Sequence, residues 1–333
     1  MKDLQNIKFS FFILFLGFTL SLWSKPLGKV EDTLPTTSQR QVYFFEDCDV
    51  CGCSGNGGSM GYGGNLTNNF IGVRYLKQSY KSRDGIFNNS PWVDENFNTL
   101  QLWSKIPVTE KVSVHAIVPY HFHDREFGDN STQKINGIGD ISVLAFYKLI
   151  QTNKDSLMLN PDKLAHTLRV GGGVKAPTGN YEKDNNAGSV NPSFQVGTGS
   201  WDYTVGLDYN LGYRTYGANV LLNYTFKTEN DLNYHFGNQT NYGLSFFGSF
   251  NSQNAVSISP SLGIAGEIFE ENEQYGEAVV NTKGDVLFSQ LGIHTTYKKW
   301  SVGANVMLPI HQNLNSGLVE VNYRTAVYVN FSI

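Results

Sequence analysis

Cysteine is scarce in this chain, and what there is sits in one place: Cys48, Cys51 and Cys53 are the three cysteines of 333 residues. A disulfide framework spread over the body of the chain is therefore excluded. After Ser24 no apolar stretch approaches the ~20 residues of a transmembrane helix, so the body has no helical membrane span. Positive charge is not in excess either. The 25 Lys and Arg stand against 29 Asp and Glu, a net charge of −4. That balance argues against nucleic acid as a partner and against a polybasic membrane contact. Runs of Ala, Leu, Glu and Lys at helical period are few. No phosphate loop and no His-Glu-x-x-His helix is present. The glycines near residue 60 do not have dinucleotide-loop spacing in a strand–helix unit.

What is there begins with "FSFFILFLGFTLSLW", an apolar run behind Lys2 and Lys8 that ends at Ser24 and Lys25. A charged start followed by about 13–15 apolar residues has the anatomy of a secretory signal, with Leu22 and Ser24 at the −3 and −1 sites. Residues 1–24 are expected to be a signal peptide, 25–66 a leader rich in Cys and Gly, and 67–333 the folded body.

The body alternates. In "KVSVHAIVPYHF" one face carries Val112, Val114, Ala116, Val118, Tyr120 and Phe122, and the other includes Ser113, His115, His121 and His123. "YTVGLDYNLGY", "GANVLLNYTF", "AVSISPSLGIAGE" and "WSVGANVMLP" repeat the pattern. Side chains alternate across a strand, so each segment has one apolar and one largely polar face. A secreted sandwich also alternates. Three features favour a membrane barrel instead. The segments are about 10–12 residues long, enough to cross a bilayer at a tilt. Tyr, Phe and Trp gather near the ends of the apolar faces. The polar faces mix Gly, Asn and charge, which suits a wet lumen.

The expected fold is all-β: a transmembrane antiparallel up-and-down β-barrel. Thirteen candidate strands begin near residues 68, 97, 111, 137, 165, 193, 202, 216, 241, 254, 285, 300 and 322. Single-chain bacterial barrels have even strand numbers. The short segment 193–199 and the region 151–164 are the doubtful places, and 12 strands are expected, with 14 next. Tight links at 108–111 and 298–300 read as periplasmic. The polar stretches 81–96, 124–136, 178–191, 269–284 and 310–321 read as long extracellular links. Val112, Val118, Leu207, Val220, Leu222, Val302 and Val306 are expected to face lipid.

"LRVGGGVKAPTGNY", "NPSFQVGTGSWDYTVGLDYN", "HFGNQTNYGLSF" and "VGANVMLPIHQNLNSG" together resemble the outer-membrane barrel family named after the meta-pathway of phenol degradation. "PTG", "GTGSWD" and "LP" before a Gln-Asn loop are the most specific pieces, and the likeness covers roughly residues 68–333. The resemblance implies a barrel in the bacterial outer membrane and passage of small molecules, with no catalytic residues to carry over. The ending "VNFSI" departs from a terminal aromatic. The Cys/Gly-rich leader resembles an addition in Bacteroidetes-like members.

The leader "CDVCGCSGNGGSMGYGG" places three thiols before six glycines between Gly55 and Gly64. In an oxidising compartment, one disulfide plus an odd thiol, or redox use, is the plain reading. The alternative is a soft-metal site in which Cys48, Cys51 and Cys53, with Met60, hold Cu or Zn. His121 and His123, two apart on a strand and beside Asp124, are a second metal candidate. Lys105, His115, Arg169, Lys175, Asp202, Asp208, Glu267, His294 and Arg324 are expected to face the lumen, because a charge facing lipid near midplane costs about 2–4 kcal/mol for Lys or Arg. The first functional expectation is a channel or transporter for small solutes, with lipid, a small solute or a metal ion as partner. The others are a metal-binding protein on a barrel scaffold and a barrel-embedded hydrolase or acyltransferase, which needs a Ser–His pair at the rim.

Overall fold

The computed structural model describes residues 69–83, 90–152, 162–182, 193–251 and 256–333. The expected signal peptide, the leader, Cys48, Cys51, Cys53 and Met60 lie outside them.

The strands are β1 (Phe70–Ser82), β2 (Val93–Pro107), β3 (Val112–Glu126), β4 (Thr132–Ile138), β5 (Ile141–Gln151), β6 (Ala165–Ala176), β7 (Asp202–Tyr213), β8 (Tyr216–Lys227), β9 (Tyr234–His235), β10 (Gln239–Gly248), β11 (Phe250–Asn251), β12 (Val256–Phe269), β13 (Asn272–Gln274), β14 (Glu277–Val279), β15 (Gly284–Tyr297), β16 (Trp300–Leu314) and β17 (Val319–Ser332). Twelve of them close a barrel in the order β1-β2-β3-β5-β6-β7-β8-β10-β12-β15-β16-β17, each antiparallel to its neighbours. The ring shuts where β1 pairs with β17, Phe70 opposite Ser332. No edge strand is left in the ring, as a bilayer requires.

The candidate strand at 193 is not one. Residues 193–200 pair with no strand, and Phe194, Gln195, Val196, Thr198 and Ser200 are buried instead. Its brevity and its glycines suit a turn, and Gly199 takes φ +69°, a conformation that costs glycine nothing. The stretch 310–321 is not a long link either. β16 runs to Leu314 and β17 starts at Val319. Direct ladder pairing between them stops at Met307 and resumes at Leu314. There the Gln312 amide stands in for backbone, accepting from Val321 N–H at 2.7 Å and donating to Val321 C=O. Polar sequence there signals a mended ladder, not a loop. β2 and β3 likewise reach into the expected links 81–96 and 124–136.

One end of the barrel carries the longer connections, including a small sheet in which β13 pairs with both β9 and β14. Tyr234 anchors that sheet by accepting from the Asn272 amide at 2.7 Å, and burial holds its phenol above the usual range, so it stays neutral. The other end carries the turns at 108–111 and 298–299 and both chain ends of the ring. Single-chain outer-membrane barrels keep their longer loops extracellular and their short turns periplasmic.

The outer face exposes Val73, Leu102, Val205, Leu222, Leu262, Leu291, Val302 and Val327 to lipid. Tyr213, Tyr216, Tyr297, Trp300 and Phe331 ring the short-turn end, while Tyr203, Phe226 and Phe122 lie toward the other. The inner face is less wet than its polar sequence suggested. One apolar cluster includes Leu76, Tyr80, Phe97, Phe194, Phe288 and Met307, and a second is Phe70, Trp103, Ile117 and Tyr328.

Candidate functional site

β4 and β5 occupy one place beside β3, and the chain breaks between them at Gly139–Asp140. The break turns the Asp140 carboxylate into the lumen, where it is 2% exposed. Three segments converge on it. Gly179 N–H donates to Oδ1 at 2.9 Å. Thr198 donates to Oδ2 through both its N–H and its hydroxyl, each at 2.9 Å. Lys175 Nζ lies 3.1 Å from Asp140 Oδ2 and 2.7 Å from Asp202 Oδ2. Thr178 adds a second tie, donating from its hydroxyl to Gly139 C=O at 2.8 Å and accepting from Ile141 N–H at 2.9 Å. A carboxylate that accepts several such bonds while paired with a cation is well satisfied in a low-dielectric site.

The connection between β6 and β7 is thus latched inside the barrel. Its described residues are 177–182 and 193–201. Gln195 clips the two pieces together, accepting from Glu182 N–H at 3.1 Å and donating to Glu182 C=O at 2.8 Å. Phe194 is the tip. Its ring lies 5.8 Å from Phe97 and 6.3 Å from His123, with the Arg125 guanidinium over it at 4.6 Å. "PTG" (Pro177–Gly179) and "GTGSWD" (Gly197–Asp202), the sequence pieces most specific to the resemblance, meet at this carboxylate.

All nine candidate lumen residues are buried on inward positions. Lys175 and Asp202 belong to the latch. Arg169 pairs with Asp208 at 2.9 Å near the short-turn end. Glu267 and Arg324 pair across the lumen from β12 to β17, and Arg324 also donates to the Tyr80 hydroxyl at 3.0 Å while lying over Phe288. His294 Nδ1 is 3.0 Å from the Tyr328 hydroxyl. Lys105 and His115 face each other across β2 and β3.

His121 and His123 also point inward, with ring centroids 4.8 Å apart. His121 Nδ1 meets the Thr99 hydroxyl at 2.9 Å, and Asn98 N–H donates to His123 Nδ1 at 3.1 Å. Asp124 is not their companion. It sits on the other face and accepts from Asn96 and Asn98, as the two-residue period requires. The Nε2 edge of His121 lies against Gly139, where a Cβ would overlap the ring. Among the described residues no group of three or more His, Cys, Asp or Glu is placed to hold a metal.

Buried polar side chains gather on the β6–β10 side of the lumen. Arg169, Asp208, Asn210 and Asn219 lie toward the short-turn end, Asn223 and Asn241 lie beyond Leu221 of the larger apolar cluster, and Lys175 and Asp202 lie nearer the long-loop end; together they are called the polar stripe. Asn210 and Asn219 are cross-strand partners, as are Asn223 and Asn241, and Asn241 donates to Asn223 at 2.7 Å. Asp140 was missed in the sequence because it falls in a two-residue gap inside what reads as one strand. The signal for it was the acidic residue in "GIGDIS", set between apolar neighbours.

The family model for the MetA-pathway of phenol degradation matches residues 94–308. No curated protein matches the chain in sequence. Among solved structures, the COG4313 outer membrane channel from Pseudomonas putida F1 is similar at 15% identity and TM-score 0.58, covering 82% of this chain and 98% of that one. The beta domain of the Bordetella autotransporter BrkA gives 9% identity and TM-score 0.46 over 80% of this chain and 100% of its own. The NanC porin gives 9% and 0.41 over 79% and 100%.

Proposed function

Since the chain belongs to the MetA-pathway of phenol degradation family, a barrel of the bacterial outer membrane, we propose that it is a channel for small solutes, held shut near its long-loop end by the latched β6–β7 connection. The observation that carries this reading is the polar stripe. It extends from Arg169, which lines a cavity at the short-turn end, toward the latch at Lys175 and Asp202, with Leu221 between its two Asn groups. A barrel serving only as a scaffold has little need of so many buried Arg, Asp and Asn on one side, because each must find a partner. The name of the Pseudomonas neighbour, an outer membrane channel, supports the same reading.

The reading assigns no reaction to the chain. The Ser113 hydroxyl and His115 Nε2 are 3.5 Å apart at the short-turn end. The cross-strand neighbours of His115 are Lys105 and Leu144, and its ring packs edge-on against Phe146. Cys48, Cys51 and Cys53 add, in this reading, a periplasmic-side thiol site for Cu or Zn or for redox exchange. Its support is their spacing alone. Replacing all three by Ser should leave heat resistance unchanged and alter metal content or redox state.

Liposome swelling tests the channel. A latch-weakened variant should admit small solutes with a sharp size limit, and the wild type should admit them more slowly. No permeation from either the wild type or a latch-weakened variant would overturn the reading.

A further inference from the structure

At the long-loop end two other connections close on the latch. The β8–β10 connection carries β9, and the β12–β15 connection carries β13 and β14. Asn230, 6% exposed, shapes the first. Its Oδ1 accepts from Leu232 N–H at 3.0 Å and from Tyr234 N–H at 3.1 Å, a turn that Asn side chains favour. The amide nitrogen is left to point elsewhere, and it donates to Thr198 C=O at 3.0 Å. Thr198 is the residue whose N–H and hydroxyl hold Asp140. Thr228 N–H donates to Trp201 C=O and Trp201 N–H to the Thr228 hydroxyl, each at 3.0 Å. Tyr181, on the other piece of the latched connection, stacks on Tyr234 at 6.2 Å and meets Phe236 edge-on at 5.9 Å. At Gly199 a Cβ would lie 3.2 Å from Asn230 Cβ and 3.3 Å from Tyr181 Cβ, so the two connections close directly over the glycine. The β13–β14 hairpin braces the Asn230 loop from its far side. Gln274 pairs with Tyr234, its amide donates to Leu232 C=O and Asn233 C=O at 3.0 Å, and Tyr275 N–H donates to Asn233 C=O at 2.9 Å. The Gln274 side chain bonds to this loop and, among the described residues, to no part of the latch.

We propose that the small sheet is a clamp on the gate: sheet and latch release together, with Asn230 as the relay between them. A latch that left Asp140 would strand the buried Asn230 amide and pull Tyr181 from its stack, and an unpaired buried donor is costly. The sheet and the Asp140 carboxylate therefore bias one equilibrium, which is what couples two distant sites. The proposal rests on the reading of the β6–β7 connection as a gate and adds the element that controls it from the long-loop surface.

Deuterium exchange at the Gly179 and Thr198 amides, measured on the full chain folded in detergent, reads the latch without requiring permeation. Asn230→Ala should speed both by about tenfold, the worth of one lost hydrogen bond. Gln274→Ala should speed them by about 2- to 30-fold, the range of coupling carried through packed networks, although Gln274 does not touch the latch. Glu277→Gln, on the same hairpin, should leave both at the wild-type rate. The ladder amides of β8 and β10 should keep their protection in all three, which shows that the barrel has folded. Wild-type rates in Gln274→Ala would detach the sheet from the gate and overturn the proposal. Equal acceleration in Glu277→Gln, or ladder amides that speed up with the latch, would mean general loosening and overturn it too. Swelling measured on the same preparations keeps the readings apart. Faster exchange with no permeation from any variant sinks the channel alone, and permeation with unchanged exchange sinks the clamp alone.

Discussion

Replacing Asp140 by Asn tests the latch directly. The native carboxylate accepts from Gly179 at one oxygen and from Thr198 twice at the other, all at 2.9 Å. An amide has one acceptor oxygen. If its NH2 group takes the Oδ1 position, it faces the Gly179 N–H; if it takes Oδ2, it faces the Thr198 N–H, and the Thr198 hydroxyl must turn to accept instead of donate. Hydrogen bonds to a charged group are worth about 1.5–3 kcal/mol each, and a buried donor left unpaired costs more. Lys175 is not stranded, because Asp202 remains 2.7 Å away. The net loss for holding the connection should therefore be about 2–4 kcal/mol. At 1.4 kcal/mol per decade that is roughly a 30- to 700-fold larger released population.

Two readouts see this. The amides of Gly179 and Thr198 should exchange with deuterium faster by about that factor, while the ladder amides of β7 and β8 keep their protection. Single-channel recordings in planar bilayers should show longer or more frequent open events. The melting temperature of the barrel should move little, since its closed ladder does not include Asp140. If both amides exchange at the wild-type rate and the conductance is unchanged, the segment is held by something other than this carboxylate, and the gate as described fails.

Three further outcomes are expected. Leu222 is 50% exposed on the outer face, so Leu222→Arg should cost about 2–4 kcal/mol in a refolding titration if it lies near midplane, and Leu222→Ala much less; equal penalties would mean the side chain does not face lipid. Glu267→Gln should cost about 3–5 kcal/mol, because it strands Arg324 where both side chains are fully buried, and Glu267→Leu with Arg324→Met should recover most of that loss in the same titration; no recovery would show that the pair has a role beyond its own charge balance. A single cysteine at Asn130 or Glu273, in a chain lacking the native three, should react with an impermeant maleimide in intact cells; labelling only after the outer membrane is broken would invert the topology.

How much was legible in the sequence follows from what alternation can encode. Period two fixes which side chains point in, so the inward positions of Arg169, Glu267 and Arg324, and the outward ones of Leu222 and Val302, could be read strand by strand. Twelve was the nearest even count to thirteen segments, with 193–199 and 151–164 both doubtful, and of these 193–199 is the one the structure takes out of the ring and buries. Alternation does not say what a strand faces across the barrel. Nothing local in "TLQLWSKIP" tells that Trp103 meets Tyr328, or in "GLVEVNYRTA" that Arg324 reaches Glu267 three strands away. Those contacts depend on ring closure. The same blindness hid the latch. Asp140, Gly179 and Thr198 are distant in sequence and meet only because β5, β6 and β7 are neighbours. The partner of Asn223, the amide of Asn241 at 2.7 Å, is set by the neighbouring strand in the same way.

The unequal lining of the lumen bears on what the barrel can select. Phe70, Trp103, Leu76, Phe288 and Met307 fill one side with apolar atoms. They narrow the path and lower the dielectric around whatever remains open. In such a setting a charge acts more strongly on its neighbours than it would in a broad aqueous pore. The stripe from Arg169 to Lys175 therefore need not be wide to discriminate; it needs only fixed charges at its ends and neutral amides between them. Substitutions on the apolar side should change stability, since they open cavities or overfill space. Substitutions of the Asn ladder should change both stability and passage, because Asn210, Asn219, Asn223 and Asn241 are buried, and the bonds among them and to Asp208 would have to open for a solute to pass.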